Sequence, residues 1–434
     1  MKKLLLMLLV PAGLMAQAPA ADTLTTRFVV AGIPVILRRA TSSTVVTADV
    51  YLLGGVRQVT TLTAGIEPFL LDVSERGTKH FPQAALRHSM ARLGTSIVVD
   101  PSADWTAFGV RATRETFDST FVILADRLMY PTLDSGDVEL IRQQYASAVR
   151  QRRDSPDALV EYLADSVTYP SHPYGRQVSG TEQSIAAITS RQLRQYESTQ
   201  IVRSRLLIVV VGNVDRPRVE RLVQRTLAQM PMGTYKWTLP APAIPHPAAV
   251  VTDARMLPTN YLLGYYQGPP ATSADYQALR VAAAVLSGRL FGEVRDQRNL
   301  SYAVNAPFVE RALAEGGLYV TTVEPDTVLT IMRREVGNLQ HALVDPAGLE
   351  RLVQQFITEY FLDNETNADQ ANFLARAELY RGDYRAGEGD RFVAELRRVT
   401  PEDVRRVAQR YMRDISFAYV GDTAKLSVPL ATGF

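Results

Sequence analysis

The sequence predicts a chain of two duplicated halves, each mixing helices with strands, and three observations support this. The length of 434 residues exceeds one ordinary domain. One pattern occurs twice. TSRQLRQYESTQIVRSRLLIVVVGNVD from Thr189 and TPEDVRRVAQRYMRDISFAYVGD from Thr400 each run from a capped polar helix into an apolar strand, over 206–211 and 416–420, and then into Gly-Asx. A repeat about two hundred residues apart signals duplication. Between the copies, residues 233–249 (GTYKWTLPAPAIPHPAA) place prolines at 240, 242, 245 and 247, which suits an extended linker and excludes a helix.

From the N-terminus, Lys2 and Lys3 precede a short apolar run over 4–15 and the small-residue stretch AQAPAA. The run is too short to span a bilayer, so residues 1–20 are expected to be a secretory signal peptide, cleaved after Ala20 at an Ala18-x-Ala20 site. With no cysteine, the chain is neither a lipoprotein nor disulfide-bonded, and export to a bacterial periplasm is expected. The first half is expected over 21–232 and the second over 250–434. Net charge is +2 with Lys and Arg dispersed, so no basic stripe for nucleic acid forms, and no later segment is apolar enough to span a membrane.

Residues 65–78 read GIEPFLLDVSERGT. Downstream, residues 138–156 (VELIRQQYASAVRQRRDSP) predict a helix, with Val138, Ile141, Tyr145 and Val149 as its apolar stripe. The five histidines are His80, His88, His172, His246 and His341, and the closest two are eight apart, so none forms a one-turn metal pair. Residues 54–58 read GGVRQ, and residues 172–189 read HPYGRQVSGTEQSIAAIT. In the second half, residues 287–304 read SGRLFGEVRDQRNLSYAV and residues 316–325 (GGLYVTTVEP) read as an alternating strand.

Together these segments resemble the insulinase/pitrilysin family of zinc metallopeptidases, which includes the mitochondrial processing peptidases. The family's frame, G-x-A-H-F-L-E-H-M-L-F-K-G-T, is matched at Gly65, Phe69, Leu70, Gly77 and Thr78. Its inverted zinc motif places two imidazoles four residues apart on one helix face, with a Glu between them to polarise the bound water. Here those positions hold Pro68, Leu71 and Asp72, and the position matching the family's third ligand, a downstream Glu, is Ala148. Asp72 alone would hold a hard cation only weakly, so no metal is expected on this chain. Residues 54–58 resemble the family's G-s-R-x-E, with Gln58 replacing the acid. Residues 172–189 resemble its H-P-y-G-r segment. The fold implied is α+β: two halves, each a mainly antiparallel sheet covered by helices, joined by the proline linker.

Residues 287–304 resemble the family's segment carrying an Arg and a Tyr that face the zinc site, here Arg295 and Tyr302. Without the resemblance the pair reads as a solvated helix Arg and a half-buried strand Tyr. The implied work is a phenol donating to the oxyanion of the tetrahedral intermediate, with the guanidinium holding a substrate carbonyl or supporting the Tyr. Asn299 stands where the family has Gly, and Asn is the next best residue for a left-handed turn. In some bacterial members one subunit carries zinc and base while another carries the Arg/Tyr pair. This chain resembles the second kind: inactive alone, working on peptides with a zinc-bearing homologous partner that has an intact His-x-x-Glu-His. Two alternatives stay open: a peptide-binding or scaffold subunit without catalysis, and a different hydrolase. The second lacks a G-x-S-x-G elbow or a lysine-paired serine.

Overall fold

The computed structural model describes residues 24–387 and 389–434. The signal-peptide expectation for residues 1–20 lies outside them. The strands are β1 (Thr25–Val30), β2 (Ile33–Arg39), β3 (Val45–Leu53), β4 (Ser96–Pro101), β5 (Trp105–Thr113), β6 (Leu206–Gly212), β7 (Val250–Ala254), β8 (Asn260–Pro270), β9 (Val304–Asn305), β10 (Phe308–Val309), β11 (Leu313–Thr322) and β12 (Ser416–Gly421). The first six form one sheet in the order β1-β2-β6-β3-β5-β4; the second sheet runs β10-β11-β8-β12-β7, with β9 also paired to β11.

The pairings reveal the duplication more fully than the repeated text. In the first sheet β6 is parallel to β2 and antiparallel to β3, which is antiparallel to β5. In the second, β12 is parallel to β7 and antiparallel to β8, which is antiparallel to β11. The two halves are therefore α+β units of one topology, with mainly antiparallel sheets. The helix preceding each closing strand begins at a reciprocal cap: Gln192 N–H donates to Thr189 Oγ1 (3.3 Å) and Asp403 N–H to Thr400 Oγ1 (3.2 Å), satisfying otherwise unpaired first-turn donors. Residues 231–249 carry neither helix nor strand.

Strands β6 and β12 are buried along their whole length. A strand covered on both faces reads as a continuous apolar run rather than an alternation. The second cover comes from the opposite half in both cases. Helix Asn367–Arg381 packs against β3 and β6 of the first sheet, with Ala371, Leu374 and Ala375 beside Tyr51, Val209 and Val211. Helix Pro156–Thr168 packs against β8 and β12 of the second, with Leu159, Val160 and Ala164 beside Leu263, Ala418 and Val420. Each half thus lends a helix to the other.

The helix expected over 138–156 is two helices, Ser135–Asp154 and Pro156–Thr168. Pro156 has no N–H and holds Ser155 extended (φ −80°, ψ 116°), and the Ser155 side chain caps the new helix. That break frees the second helix to cross to the other sheet.

Candidate functional site

The motif helix, Ile66–Val73, starts from Gly65 at φ 83°, where a Cβ would lie 2.8 Å from the backbone of Gly180. Two segments recognised separately in the sequence therefore touch, backbone to backbone. Arg176 ties in a third, donating to the carbonyls of Val56 (3.1 Å) and Val59 (2.8 Å). Pro68 is tolerated because it falls in the first turn, whose N–H groups have no intrahelical acceptor. Glu67 is held by a buried ion pair with Arg205 (2.8 Å) and by the Tyr196 hydroxyl (2.9 Å). At the other end Arg127 donates to Leu71 O (3.0 Å) and Ser74 Oγ (3.1 Å), a cation at a helix C-terminus.

Pro68 and Leu71 are buried, and Asp72 is half-buried. The side chain that meets Asp72 is Tyr145, whose hydroxyl donates to Asp72 Oδ2 (2.5 Å) while its ring packs on Phe69 (centroids 5.1 Å apart). Burial pushes the Asp72 carboxyl up, with the Tyr145 hydrogen bond and Arg127 pulling back. Burial, then the carboxylate, push the Tyr145 phenol up as well. Ala148, on the same helix as Tyr145, is exposed. Sequence reasoning placed Tyr145 in the apolar stripe and missed its hydroxyl; the signal was a polar atom at the end of a core-facing residue.

This set does not fit a zinc ion. Pro68 and Leu71 offer no side-chain lone pair, Ala148 offers a methyl, and the single carboxylate is engaged by a phenol. Among the described residues no group of three His, Cys, Asp or Glu side chains is placed to hold a metal. Four histidines are engaged elsewhere: His80 with Asp126 (2.6 Å), His172 and His246 with the carbonyls of Ala241 (3.0 Å) and Thr168 (2.9 Å), and His341 with Gly337 O (2.7 Å).

Arg295 and Tyr302 are brought together. Helix Asp275–Leu290 runs into a π-helical turn, Phe291–Asp296, closed by Gln297 N–H to Gly292 O (3.0 Å). Asn299 then turns the chain at φ 53°, the left-handed conformation its residue type suits. The Arg295 guanidinium lies 4.4 Å from the Tyr302 ring centroid and 4.7 Å from that of Phe291. It also donates to Tyr302 O (3.4 Å). Tyr302 is 82 % exposed, and its hydroxyl has no described partner. It sits on a loop before β9 rather than in a strand. The π-turn, a feature frequent at functional sites, left no signal in the sequence. No described hydrogen bond, ion pair or ring contact joins this pair to Pro68, Leu71 or Asp72, which lie on the other half.

The first sheet ends beside the motif helix in β4, which among the described residues pairs only with β5. Ser96, Val98 and Asp100 point outward from it. Its free edge presents unpaired N–H and C=O groups, the template that an extended peptide can extend as a further strand.

Duplicated α+β halves of one topology, with a helix in the frame of an inverted zinc motif, define a class of two-half metallopeptidase-like chains. This chain belongs to the insulinase family, peptidase family M16. Residues 34–182 match the family model described as Insulinase (Peptidase family M16), and residues 187–356 match the one described as Peptidase M16 inactive domain. Mitochondrial-processing peptidase subunit beta of Blastocladiella emersonii is 24 % identical over 401 residues, covering 86 % of this chain and 83 % of that one. YmxG, an uncharacterized zinc protease of Bacillus subtilis, is 22 % identical over 418 residues, covering 91 % and 97 %. Among solved structures, a peptidase M16 inactive domain from Pseudomonas fluorescens superposes with a TM-score of 0.82 at 17 % identity, covering 92 % and 98 %. The periplasmic protease PqqL from Escherichia coli superposes with 0.75 at 15 % identity, covering 97 % of this chain and 49 % of PqqL. These structural likenesses bear on the fold. Among the described residues no helix is long and apolar enough to cross a membrane.

Proposed function

We propose that this chain is the metal-free subunit of a two-subunit periplasmic zinc peptidase. It would lend Arg295 and Tyr302 to an active site whose zinc is held by a homologous partner with an intact His-x-x-Glu-His. The observation that carries this is the contrast between the two walls: the motif helix is filled by Pro68, Leu71 and the Tyr145–Asp72 pair, whereas the Tyr302 phenol is open to solvent and braced by Arg295. A scaffold has no need of a free phenol held at a fixed angle. In the proposed reaction the Tyr302 O–H donates to the peptide oxygen as it gains negative charge, a contact that strengthens toward the transition state. The guanidinium keeps the ring in place and reaches a substrate carbonyl. The free edge of β4 supports holding the peptide as an added strand. The leader-like N-terminus and the fold shared with a periplasmic protease support the compartment.

The test is reconstitution with a zinc-bearing homologue from the same organism. The chain alone cleaves nothing; the pair cleaves peptides. Tyr302→Phe lowers kcat of the pair about a hundredfold, the scale of one lost oxyanion donor, with a smaller change in KM. Arg295→Ala also cripples turnover, with the larger effect on KM if the guanidinium holds a ground-state carbonyl. Unchanged kcat in both variants would refute the shared site and leave the scaffold reading.

A further inference from the structure

A π-helical turn is rare because the same residues ordinarily do better as α-helix, so one persists where contacts outside it keep it. The turn that carries Arg295 follows a helix of 16 residues, and Gly292 within it lends no side chain to the task. The three residues after Gly292 divide the work. Val294 is buried in the core of the second half, and Arg295 turns toward the Tyr302 and Phe291 rings. Glu293 meets the neighbouring helix, Pro325–His341.

A single oxygen of Glu293 gathers both flanks of the turn. Its Oε2 accepts from Arg298 Nη1 (2.9 Å), just past the turn, and from Arg334 Nη2 on the neighbouring helix. Arg298 Nη1 also donates to the Glu293 carbonyl (2.7 Å), so the turn is clasped across its end. Arg334 is itself fixed by the buried Glu335 (2.9 Å), which accepts from Asn338 as well (3.2 Å). Arg298 and Arg334 are exposed, and exposed ion pairs add little to stability because water and salt screen them. What the network supplies is an angle. Arg295, two residues beyond Glu293, lies 4.4 Å from the Tyr302 ring centroid and donates to its carbonyl (3.4 Å), so the phenol goes where the turn sends the guanidinium.

We infer that Glu293 is a positioning residue: its carboxylate ties the π-turn to helix Pro325–His341 and so sets the direction in which Arg295 holds the Tyr302 phenol. Glu293 has this role only if Tyr302 acts in the shared site proposed above. A displacement of about 1 Å in a positioned group costs up to about a hundredfold in rate, so loss of the tie shows in kcat rather than in stability.

The test has two parts. In the chain alone, Glu293→Ala should speed hydrogen exchange of the Gln297 and Leu300 amides, which close the turn on Gly292 O and Val294 O, about tenfold, while the melting temperature stays within about 2 °C. Unchanged exchange at those amides would overturn the tie. In the pair reconstituted with the zinc-bearing homologue, assayed on one fluorogenic peptide, Glu293→Ala should lower kcat about tenfold with KM within about twofold. Glu293→Gln, whose amide oxygen can accept both guanidinium bonds, should recover most of that loss. In a Tyr302→Phe background Glu293→Ala should cost less than about twofold, since no hydroxyl is left to misdirect. An equal loss in both backgrounds would overturn the inference by showing a merely structural role. So would wild-type kcat in Glu293→Ala beside a fallen kcat in Tyr302→Phe. Wild-type kcat in Tyr302→Phe itself would instead sink the shared site, and this role of Glu293 with it.

Discussion

Asp104 joins the two halves at a single carboxylate, and its removal has a calculable cost. It sits before β5, 1 % exposed. Its Oδ1 accepts from Tyr174 Oη (2.8 Å), and its Oδ2 accepts from Ala312 N–H (2.9 Å) and Tyr380 Oη (2.8 Å). Ala312 and Tyr380 belong to the second half. Asp104→Ala leaves three buried neutral donors without an acceptor, at about 1–3 kcal/mol each, offset in part by no longer burying a carboxylate, so the net loss is about 3–5 kcal/mol. Asp104→Asn, which keeps one acceptor oxygen, falls between. Urea denaturation followed by tryptophan fluorescence is well placed to read this. Of the two tryptophans, Trp105 packs against the Tyr380 ring (5.3 Å) and Trp237 donates to Leu379 O (2.7 Å), so both report the docking of helix Asn367–Arg381. A loss below about 1 kcal/mol for Asp104→Ala would refute the reasoning, because no buried donor would then have been orphaned.

Two further outcomes are expected. Burial pushes the fully buried Glu315 carboxyl up to about 7, with its ion pair to Arg311 (3.2 Å) pulling only part of the way back. The folded chain then keeps a proton that the unfolded chain has released, so this group's stabilisation is complete below about pH 4.5 and is lost as pH rises through about 7; Glu315→Gln should remove that decline from urea midpoints compared between these limits. Separately, the triple variant Pro68→His, Leu71→Glu, Asp72→His should not become a good peptidase on its own, since Ala148 supplies no third ligand and Tyr145 stays in place without a carboxylate to meet; zinc-dependent turnover by that chain alone would show otherwise.

Much of this architecture was legible in local chemistry. Thr189 and Thr400 announce helix starts because their hydroxyls satisfy first-turn donors within three residues, and Asn299 announces a left-handed turn because few other side chains tolerate one. The proline run over 240–247 announces a linker for the same local reason. Features that depend on distant partners were silent. Nothing in residues 138–156 says that Tyr145 will meet Asp72, 73 positions away, because a tyrosine in an apolar stripe reads as core whichever carboxylate lies above it. The π-turn at Phe291–Asp296 follows from how the end of a long helix is packed, and no residue type encodes it. The break at Pro156 was readable, since proline forbids helix continuation, yet its consequence, a helix delivered to the opposite sheet, was not.

That crossed pair of helices bears on where such a molecule can open. Pulling the halves apart at the proline linker would strip the cover from β3 and β6 on one side and from β8 and β12 on the other, baring Tyr51, Val209, Val211, Leu263, Ala418 and Val420 to water together. The linker is therefore a tether between parts that are already interlocked by these two helices. On the two-subunit reading proposed above, an opening for an extended peptide would form at the contact with the partner rather than between the two halves of this chain.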